Sequence, residues 1–277
     1  MPEQKWLVDS PKTIDIDAAR ALKVELISGQ IDIVAHDEPH MRIEVHSVQG
    51  KSIKISVTGD SVEIDQPQLG WENWFDVVRS FRGAKADVTV LVPRTTSIKL
   101  GVVNAATLVS GVHANITLST VNGEIVVDNA VGKLQLNTVN GELTVRDHTG
   151  PVTAHSVSGD LTASGALESL GSDSVSGSVF VDASGTPDKL RVNTVSGAVR
   201  ARLDAGVGAA YTLSTVGGKL HIDGDSLRGV RGQYTGRYGE LDGHWADVRI
   251  NTVGGDISIL HAEPSARAAG TTPKNAA

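Results

Sequence analysis

A short phrase that recurs at a nearly fixed interval constrains this chain more than any other feature. The phrase reads Thr or Ser, then Val, then Asn, Ser or Gly, and it ends in Gly. Its seven copies end at Gly123, Gly141, Gly159, Gly177, Gly197, Gly218 and Gly255. The first four of these glycines are spaced 18 residues apart, and the later intervals are 20, 21 and 37 residues. A period of this size indicates a repeat architecture in which each repeat packs against its neighbours.

Each repeat has the pattern of two short strands that meet at the glycine. Around Gly141, the apolar residues Leu134, Leu136, Leu143 and Val145 occupy alternate positions, which in a strand point to one side. This alternation, with the high content of Val, Thr and Gly, excludes helical repeats. The sequence therefore predicts an all-β, single-domain β-solenoid of the β-helix or β-roll type, with rungs of about 18–21 residues.

The phrase also predicts how side chains stack from rung to rung. The corner glycines suit a backbone position with φ > 0, where a side chain would clash. Residues of like kind are expected to lie above one another at about 4.8 Å. We expect the Thr hydroxyls to hydrogen-bond along such a column and the Val methyl groups to fill the core.

The repeats divide the chain into four parts. Residues 12–66 are interpreted as an N-terminal β cap or degenerate rungs, because Ser28-Gly29-Gln30-Ile31-Asp32-Ile33 is an early form of the phrase. Residues 86–261 hold the solenoid repeats, and 262–277, rich in Ala, Pro, Thr and Lys, are expected to be a disordered tail. The long interval at 219–254 is either an extra rung or a projecting loop.

Residues 67–85 break the strand pattern and predict one short inserted amphipathic helix. Its apolar stripe follows helical spacing and consists of Trp71, Trp74, Phe75, Val78 and Phe81. The stripe is expected either to pack on the solenoid or to dock a partner. The polar face carries two acidic and two basic residues, not the Lys/Arg excess of a membrane-surface helix, so a protein partner is favoured over peripheral membrane contact.

A second set of candidate partner-binding residues lies in the glycine-rich insert. It consists of Arg228, Arg231, Tyr234, Arg237 and Tyr238. Self-association through the ends of the solenoid is a further possibility, since an uncapped rung exposes strand edges.

Composition and charge exclude several classes of function. The net charge of −7, with both signs interspersed, argues against nucleic acid binding, and the absence of cysteine excludes disulfide and thiolate chemistry. The aligned acids Glu124, Glu142 and Asp160 are interpreted as a solvated outer face, and we predict no metal site, no cofactor and no catalytic residues. No signal sequence or membrane span is seen, so a cytoplasmic location is expected.

The recurring Thr-Val-Ser/Asn-Gly-x-Leu/Ile-x-Val phrase resembles the DUF4097 family, which is described as candidate adhesins of β-solenoid type. The resemblance covers about residues 86–261. It implies surface or polymer interaction, and a link of some relatives to cell-envelope stress. No catalytic residues are defined for the family.

These observations together favour a non-enzymatic β-solenoid that acts as a scaffold or binding protein. Two alternatives stay open from the sequence. One is a carbohydrate-active β-helix enzyme, which would require two acids about 5–10 Å apart in a groove. The other is a scaffold that assembles into polymers through uncovered terminal rungs.

Overall fold

The computed structural model describes residues 4–17, 19–66, 83–227 and 232–262. Within these ranges every regular element is a β-strand, which confirms the all-β prediction. No helix in the described part of the chain is long and apolar enough to cross a membrane.

Twenty-two strands follow one another along the described chain. The N-terminal strands are β1 (Gln4–Val8), β2 (Lys12–Ile16), β3 (Ala21–His36), β4 (Met41–Gln49), β5 (Ile53–Thr58), β6 (Ser61–Asp65) and β7 (Lys85–Pro93). The central strands are β8 (Ser97–Ser110), β9 (Ile116–Asn122), β10 (Ile125–Asp128), β11 (Leu134–Asn140), β12 (Leu143–Ser158), β13 (Leu161–Ser176), β14 (Val179–Ala183), β15 (Lys189–Ser196) and β16 (Val199–Asp204). The C-terminal strands are β17 (Ala209–Thr215), β18 (Leu220–Ile222), β19 (Asp225–Leu227), β20 (Gly232–Tyr238), β21 (Ala246–Thr252) and β22 (Ile257–Ala262).

The predicted helix at 67–85 falls mainly on residues outside the described part of the chain. Only its last three positions are described, and there the prediction is wrong. Gly83 lies in a turn, and Lys85 begins strand β7. Lys85 joins the sheet because β7 pairs with both β3 and β4.

Two parallel ladders run through the molecule, and each layer supplies one strand to each ladder. The first ladder has the order β6, β3, β8, β9, β11, β12, β13, β15, β21, β17. The second has the order β7, β3, β8, β10, β12, β13, β14, β16, β22, β18. Long strands such as β3 contribute to both ladders, with a corner between their two halves.

Successive central layers pair in register at the period of the sequence repeat. Ile116 lies beside Leu134, and Leu134 lies beside Val152, each 18 residues further on. All three side chains are buried in one continuous apolar core. Repetition of the same apolar positions therefore extends the core from layer to layer, each contacting mainly its neighbours.

The order of layers departs from the order of the chain at both ends. At the N-terminal end, β3 lies between the outermost layer, β6–β7, and strand β8. At the C-terminal end, β21 and β22 lie between β15–β16 and the outermost layer, β17–β18. At each end, therefore, a segment from elsewhere in the chain is inserted beneath the outermost layer.

Antiparallel strands then cover both outermost layers. Strands β5 and β4 pair with β6 and β7, and strands β20 and β19 pair with β17 and β18. The interval at 219–254 contains two ladder strands, β18 and β21. The described residues between them form neither an added rung nor a free loop, because β19 and β20 make this C-terminal cover. Such covers occupy edges on which further parallel strands would otherwise add.

The corner glycines are required by the close approach of one layer to the next. A Cβ atom on Gly141 would lie 2.1 Å from the carbonyl oxygen of Gly123, and one on Gly159 would lie 2.1 Å from that of Gly141. The expectation of φ > 0 holds at Gly123, Gly159, Gly177 and Gly197, but not at Gly141, Gly218 and Gly255. Gly218 and Gly255 have the same backbone contact, at 1.9 and 1.7 Å. The clash with the neighbouring layer thus explains glycine at these corners whatever the sign of φ.

We predict that Gly141→Val lowers the free energy of unfolding by about 3 kcal/mol, because the added side chain pushes two layers apart. Gly171→Val is the matched control, since a Cβ there meets no atom within 4 Å. Urea unfolding followed by far-ultraviolet circular dichroism measures both. Equal destabilisation by the two substitutions would contradict this explanation of the corners.

His148 is an ionisable side chain inside the stack, where the register between β12 and β13 shifts. Neither ring nitrogen makes a hydrogen bond to any described residue. Burial lowers the pKa of His148 below its ordinary value of 6.5, although backbone groups of Gly132 and Ala130 offset part of this effect. The lowered pKa means that folding favours the neutral form of this ring.

Stability is expected to fall as the pH drops below about 6.5, because the unfolded chain then binds a proton that the folded chain resists. The contribution of neutral His148 to the free energy of unfolding is complete above the pKa that this residue has in the unfolded chain. It is lost as the pH falls towards the lower pKa of the folded state. His148→Leu should flatten this part of the pH profile, whereas His113→Gln, at an exposed position, should leave it unchanged. Urea midpoints measured between pH 5 and pH 8 provide the comparison.

Candidate functional site

The repeat corner turns its threonine inward and its valine outward. Thr120, Thr138 and Thr252 are only 4–5% exposed. The valines next to them are between 41% and 80% exposed over the seven copies. The expectation that the Val methyl groups fill the core is therefore wrong, because adjacent residues of a strand point to opposite faces.

The hydroxyl groups of the buried threonines make different hydrogen bonds in different layers. The hydroxyl of Thr215 accepts the N–H of Gly218 at 3.0 Å and donates to the carbonyl of Gly255 at 3.0 Å. The hydroxyl of Thr252 accepts the N–H of Gly255 at 3.1 Å. The hydroxyl oxygen of Thr138 has no partner among the described residues, so the expected column of Thr–Thr hydrogen bonds does not form.

The outward valines form a continuous line, which we call the valine column. In the order of the layers it consists of Val121, Val139, Val157, Val175, Val195, Val253 and Val216. The flanking residues fix its register, since Thr138 lies beside Thr120 and Asn140 beside Asn122. With one valine per layer, the column is about 29 Å long at about 4.8 Å per layer. Its apolar surface is on the order of 500 Å², the size of a patch that often has a function.

Polar side chains border the column on both sides and bond from layer to layer. On one side, the Asn140 amide donates to Asn122 Oδ1 at 3.3 Å. On the other, Asn193 donates to Asp173 Oδ1 at 2.8 Å, and Asn251 donates to Asn193 Oδ1 at 2.9 Å. The site is thus an apolar line between two ordered polar borders, which resembles the core and rim of a protein interface.

The acids that follow the corner glycines add negative charge beside the column. Glu124 and Glu142 are exposed. The carboxylate of Asp160 accepts the backbone N–H of Ser178 at 2.7 Å, so it closes a corner of the next layer. No metal-binding cluster is found among the described residues.

The sequence-predicted partner residues fall in different places. The aromatic stripe (Trp71, Trp74, Phe75, Val78, Phe81) and the pair Arg228 and Arg231 lie outside the described residues. Tyr234 and Tyr238 are half-buried and pack against the core, whereas Arg237 is exposed on β20. Of the described candidates, only Arg237 is therefore free of core packing.

A second polar cluster, not identified from the sequence, lies at the C-terminal end of the stack. The Nδ1 atom of His261 lies 2.9 Å from the carboxylate of Asp223, and its Nε2 is hydrogen-bonded to the hydroxyl of Tyr211. The ring of Tyr238 stacks on His261 with a centroid distance of 3.6 Å and an interplanar angle of 6°. We call this cluster, Asp223, His261, Tyr211 and Tyr238, the C-terminal clasp.

A carboxylate, an imidazole and a hydroxyl group are hydrogen-bonded in sequence in the clasp, as in a catalytic triad. Its buried position gives it a structural role. Tyr211 is 3% exposed, so no substrate reaches its hydroxyl. Burial, and to a lesser extent the charge of Asp223, raise the pKa of Tyr211 above its ordinary value, which keeps the phenol protonated. The clasp joins β22 to β17 and to the turn after β18, and so holds the inserted layer in place.

We predict that His261→Ala loosens the C-terminal end of the stack without unfolding the central layers. Amide hydrogen exchange should accelerate in β17, β18 and β22, while β9 and β11 keep their protection. His221→Ala is the matched control, because His221 lies on β18 outside the clasp and its ring is hydrogen-bonded to Ser226. Faster exchange throughout the chain would show that the clasp supports the entire fold.

Together these features define an all-β protein of stacked parallel layers with covered ends and an exposed apolar column. The Toastrack DUF4097 family profile matches residues 19–260, so the chain belongs to this family. No curated protein matches the chain significantly.

Several solved structures are similar over most of the chain at low sequence identity. A candidate adhesin from Bacteroides fragilis is 11% identical, with 90% of this chain and 97% of that one covered and a TM-score of 0.46. A candidate adhesin from Parabacteroides distasonis is 12% identical, with coverage of 91% and 96% and a TM-score of 0.43. A candidate lipid-binding protein from the same organism is 9% identical, with coverage of 92% and 97% and a TM-score of 0.40.

Proposed function

We propose that this protein is a non-enzymatic β-solenoid scaffold that binds a protein partner through the valine column. The observation that carries the proposal is the outward position of the valine in all seven copies of the corner. The solenoid assignment is supported by the pairing of successive layers at offsets of 18 to 20 residues in the central stack.

An apolar column of this length costs free energy when it faces water, at roughly 25 cal/mol for each Å² that a partner would cover. Val157, Val175 and Val195 are each at least 50% exposed and follow one another in adjacent layers. Their alignment gives a partner one flat face and requires no rearrangement of the stack. Binding would therefore remove apolar surface at little conformational cost.

The charge beside the column favours a protein over anionic partners. Glu124 and Glu142 stand on one border, Asp173 stands on the other, and the chain has a net charge of −7. Nucleic acids and anionic lipid surfaces would be repelled by this arrangement. A partner with an apolar face and basic or neutral borders is complementary to it.

The two alternative functions have less support. Growth into a polymer requires an uncovered terminal layer, but both outermost layers are paired with antiparallel strands. For a carbohydrate-active enzyme, the candidate acids of the long insert are Asp223, Asp225, Asp242 and Asp247. Of these, Asp223 binds His261 and Asp247 pairs with Arg249 at 3.0 Å.

The test is quantitative capture of proteins from the native cell with a column variant as bait. The triple variant Val157→Ser, Val175→Ser and Val195→Ser should keep the circular dichroism spectrum and lose the proteins that the wild type retains. A control variant, Val131→Ser with Phe180→Ser, removes exposed apolar side chains outside the column and should retain them. If the column variant captures the same proteins as the wild type, binding through the column is wrong.

A further inference from the structure

The C-terminal cover has a strand edge of its own. Of the described strands, β20 pairs with β17 alone, in the antiparallel direction. On its other side, backbone N–H and C=O groups of alternate residues therefore have no described strand as a partner. The side chains of Gln233, Thr235 and Arg237 on this strand are exposed. The cover thus prevents parallel strands from adding to β17, but it can itself accept an antiparallel strand.

Strand β20 is the least protected of the strand edges in the described structure. Strands β1, β2, β19 and β20 each pair with a single described strand. Natural proteins protect such edges by keeping them short and by placing charged side chains on them, above all lysine. Strand β19 has three residues, whereas β1 and β2 have five each and carry Lys5 and Lys12. Strand β20 has seven residues, and Arg237 is its one charged side chain, so this edge favours association with another strand.

The outward face of β20 is complementary to itself when two copies of the strand run antiparallel. With Thr235 on a twofold axis, each Thr235 faces its counterpart, and Gln233 of one copy faces Arg237 of the other. Threonine pairs and hydrogen bonds between an amide and a guanidinium group are favourable across antiparallel strands, and no like charges face each other. This register is also the one that gives all seven residues of the strand a partner in the second copy.

The inward face of β20 fits the same register. Tyr234 and Tyr238 are half-buried and pack against the core. Each tyrosine then has a glycine directly opposite in the second copy, Gly236 for Tyr234 and Gly232 for Tyr238, so no two large side chains compete for one position. The ring of Tyr234 leans over Gly236 of its own strand, where an added Cβ would lie 2.5 Å from the tyrosine hydroxyl. The two Tyr234 rings become diagonal neighbours at about 7–8 Å, a separation at which aromatic side chains still interact.

We propose that β20 is the interface of a homodimer, in which two copies of this chain pair antiparallel about a twofold axis at Thr235. The first ladder of one copy then continues through β17 and β20 into β20 and β17 of the other. Because the axis uses the same edge on both copies, the assembly closes at two chains and does not grow into a polymer. The inference goes beyond the proposed function and does not depend on it, since the valine column lies on the side of the stack and β20 at its end.

The absence of cysteine from the chain allows the register to be tested by disulfide formation. In the full chain, the single variant Thr235→Cys should form a covalent dimer under mild oxidation, because facing residues have Cα atoms about 4.5–5.5 Å apart. The control is Gln233→Cys on the same exposed face of β20. Its two copies would lie about 14 Å apart, which is too far for a disulfide, so this variant should stay reduced.

Equal disulfide yields in the two cysteine variants would show random collision of chains and would overturn the register. Sedimentation equilibrium of the wild-type chain provides the independent measurement, and it should give the mass of two chains. The mass of a single chain at every protein concentration tested would overturn the homodimer.

Charge substitution at the axis separates a loss of pairing from a loss of folding. Thr235→Lys and Thr235→Glu each place like charges opposite each other, so each variant alone should sediment as a single chain. An equimolar mixture of the two should restore the dimer, which misfolded chains could not do. A dimer that persists in both single variants would overturn the proposal.

Two further variants show whether the contact is confined to β20. Thr13→Lys changes an exposed threonine on the edge strand β2, at the other end of the stack, and should leave the dimer intact. The triple valine variant used for partner capture should also remain dimeric. Loss of the dimer in that variant would place the contact at the valine column and overturn the interface at β20. Partner capture and dimer formation are therefore measured separately, and either proposal can fail without the other.

Discussion

The close approach of one backbone layer to the next at the glycine corners is the constraint on which the rest of the structure depends. With the Cβ position of Gly159 only 2.1 Å from the oxygen of Gly141, no side chain fits between these layers. The tight corner lets both ladders keep the inter-strand spacing of about 4.8 Å around the bend. Because the two ladders stay in register there, every residue of the corner phrase lies beside its counterpart in the next layer. A residue type that recurs at one position of the phrase therefore forms a column along the stack.

The corner also determines which residues of the phrase point inward and which point outward, where they are available for function. Threonine is small enough to be buried, and its hydroxyl can accept the N–H of the glycine three residues later, as Thr252 does for Gly255. With threonine inside, the next residue must point outward. The valine column is thus a consequence of the geometry of the corner, but its composition is not. High β-propensity and contact between the stacked valines favour valine at this position, while threonine, which is also β-branched, would fit there with a more polar surface.

Much of the fold could be predicted from the sequence, because the period and the alternation are local properties. The outward direction of the valine side chain could also have been predicted from the sequence. Leu134 and Leu136 point inward, and the same alternation places Thr138 inside and Val139 outside. The order of the terminal layers could not be predicted. Pairing of β15 with β21 joins Leu190 to Val248, and no repeat period specifies that offset. The C-terminal clasp follows from this insertion, so its residues carry no motif of their own.

The ends and the side of the stack both present surfaces that favour association, and the chain treats them differently. A stack of parallel layers has exposed edges at its ends and a repeated surface along its sides, and both favour association. At the ends, the antiparallel strands β4, β5, β19 and β20 pair with the outermost layers. Along the side, the exposed apolar column has no such cover over Val157, Val175 and Val195 in the described structure. The proposed function places association at the column, because the described structure covers the two outermost layers with paired strands and leaves this line exposed.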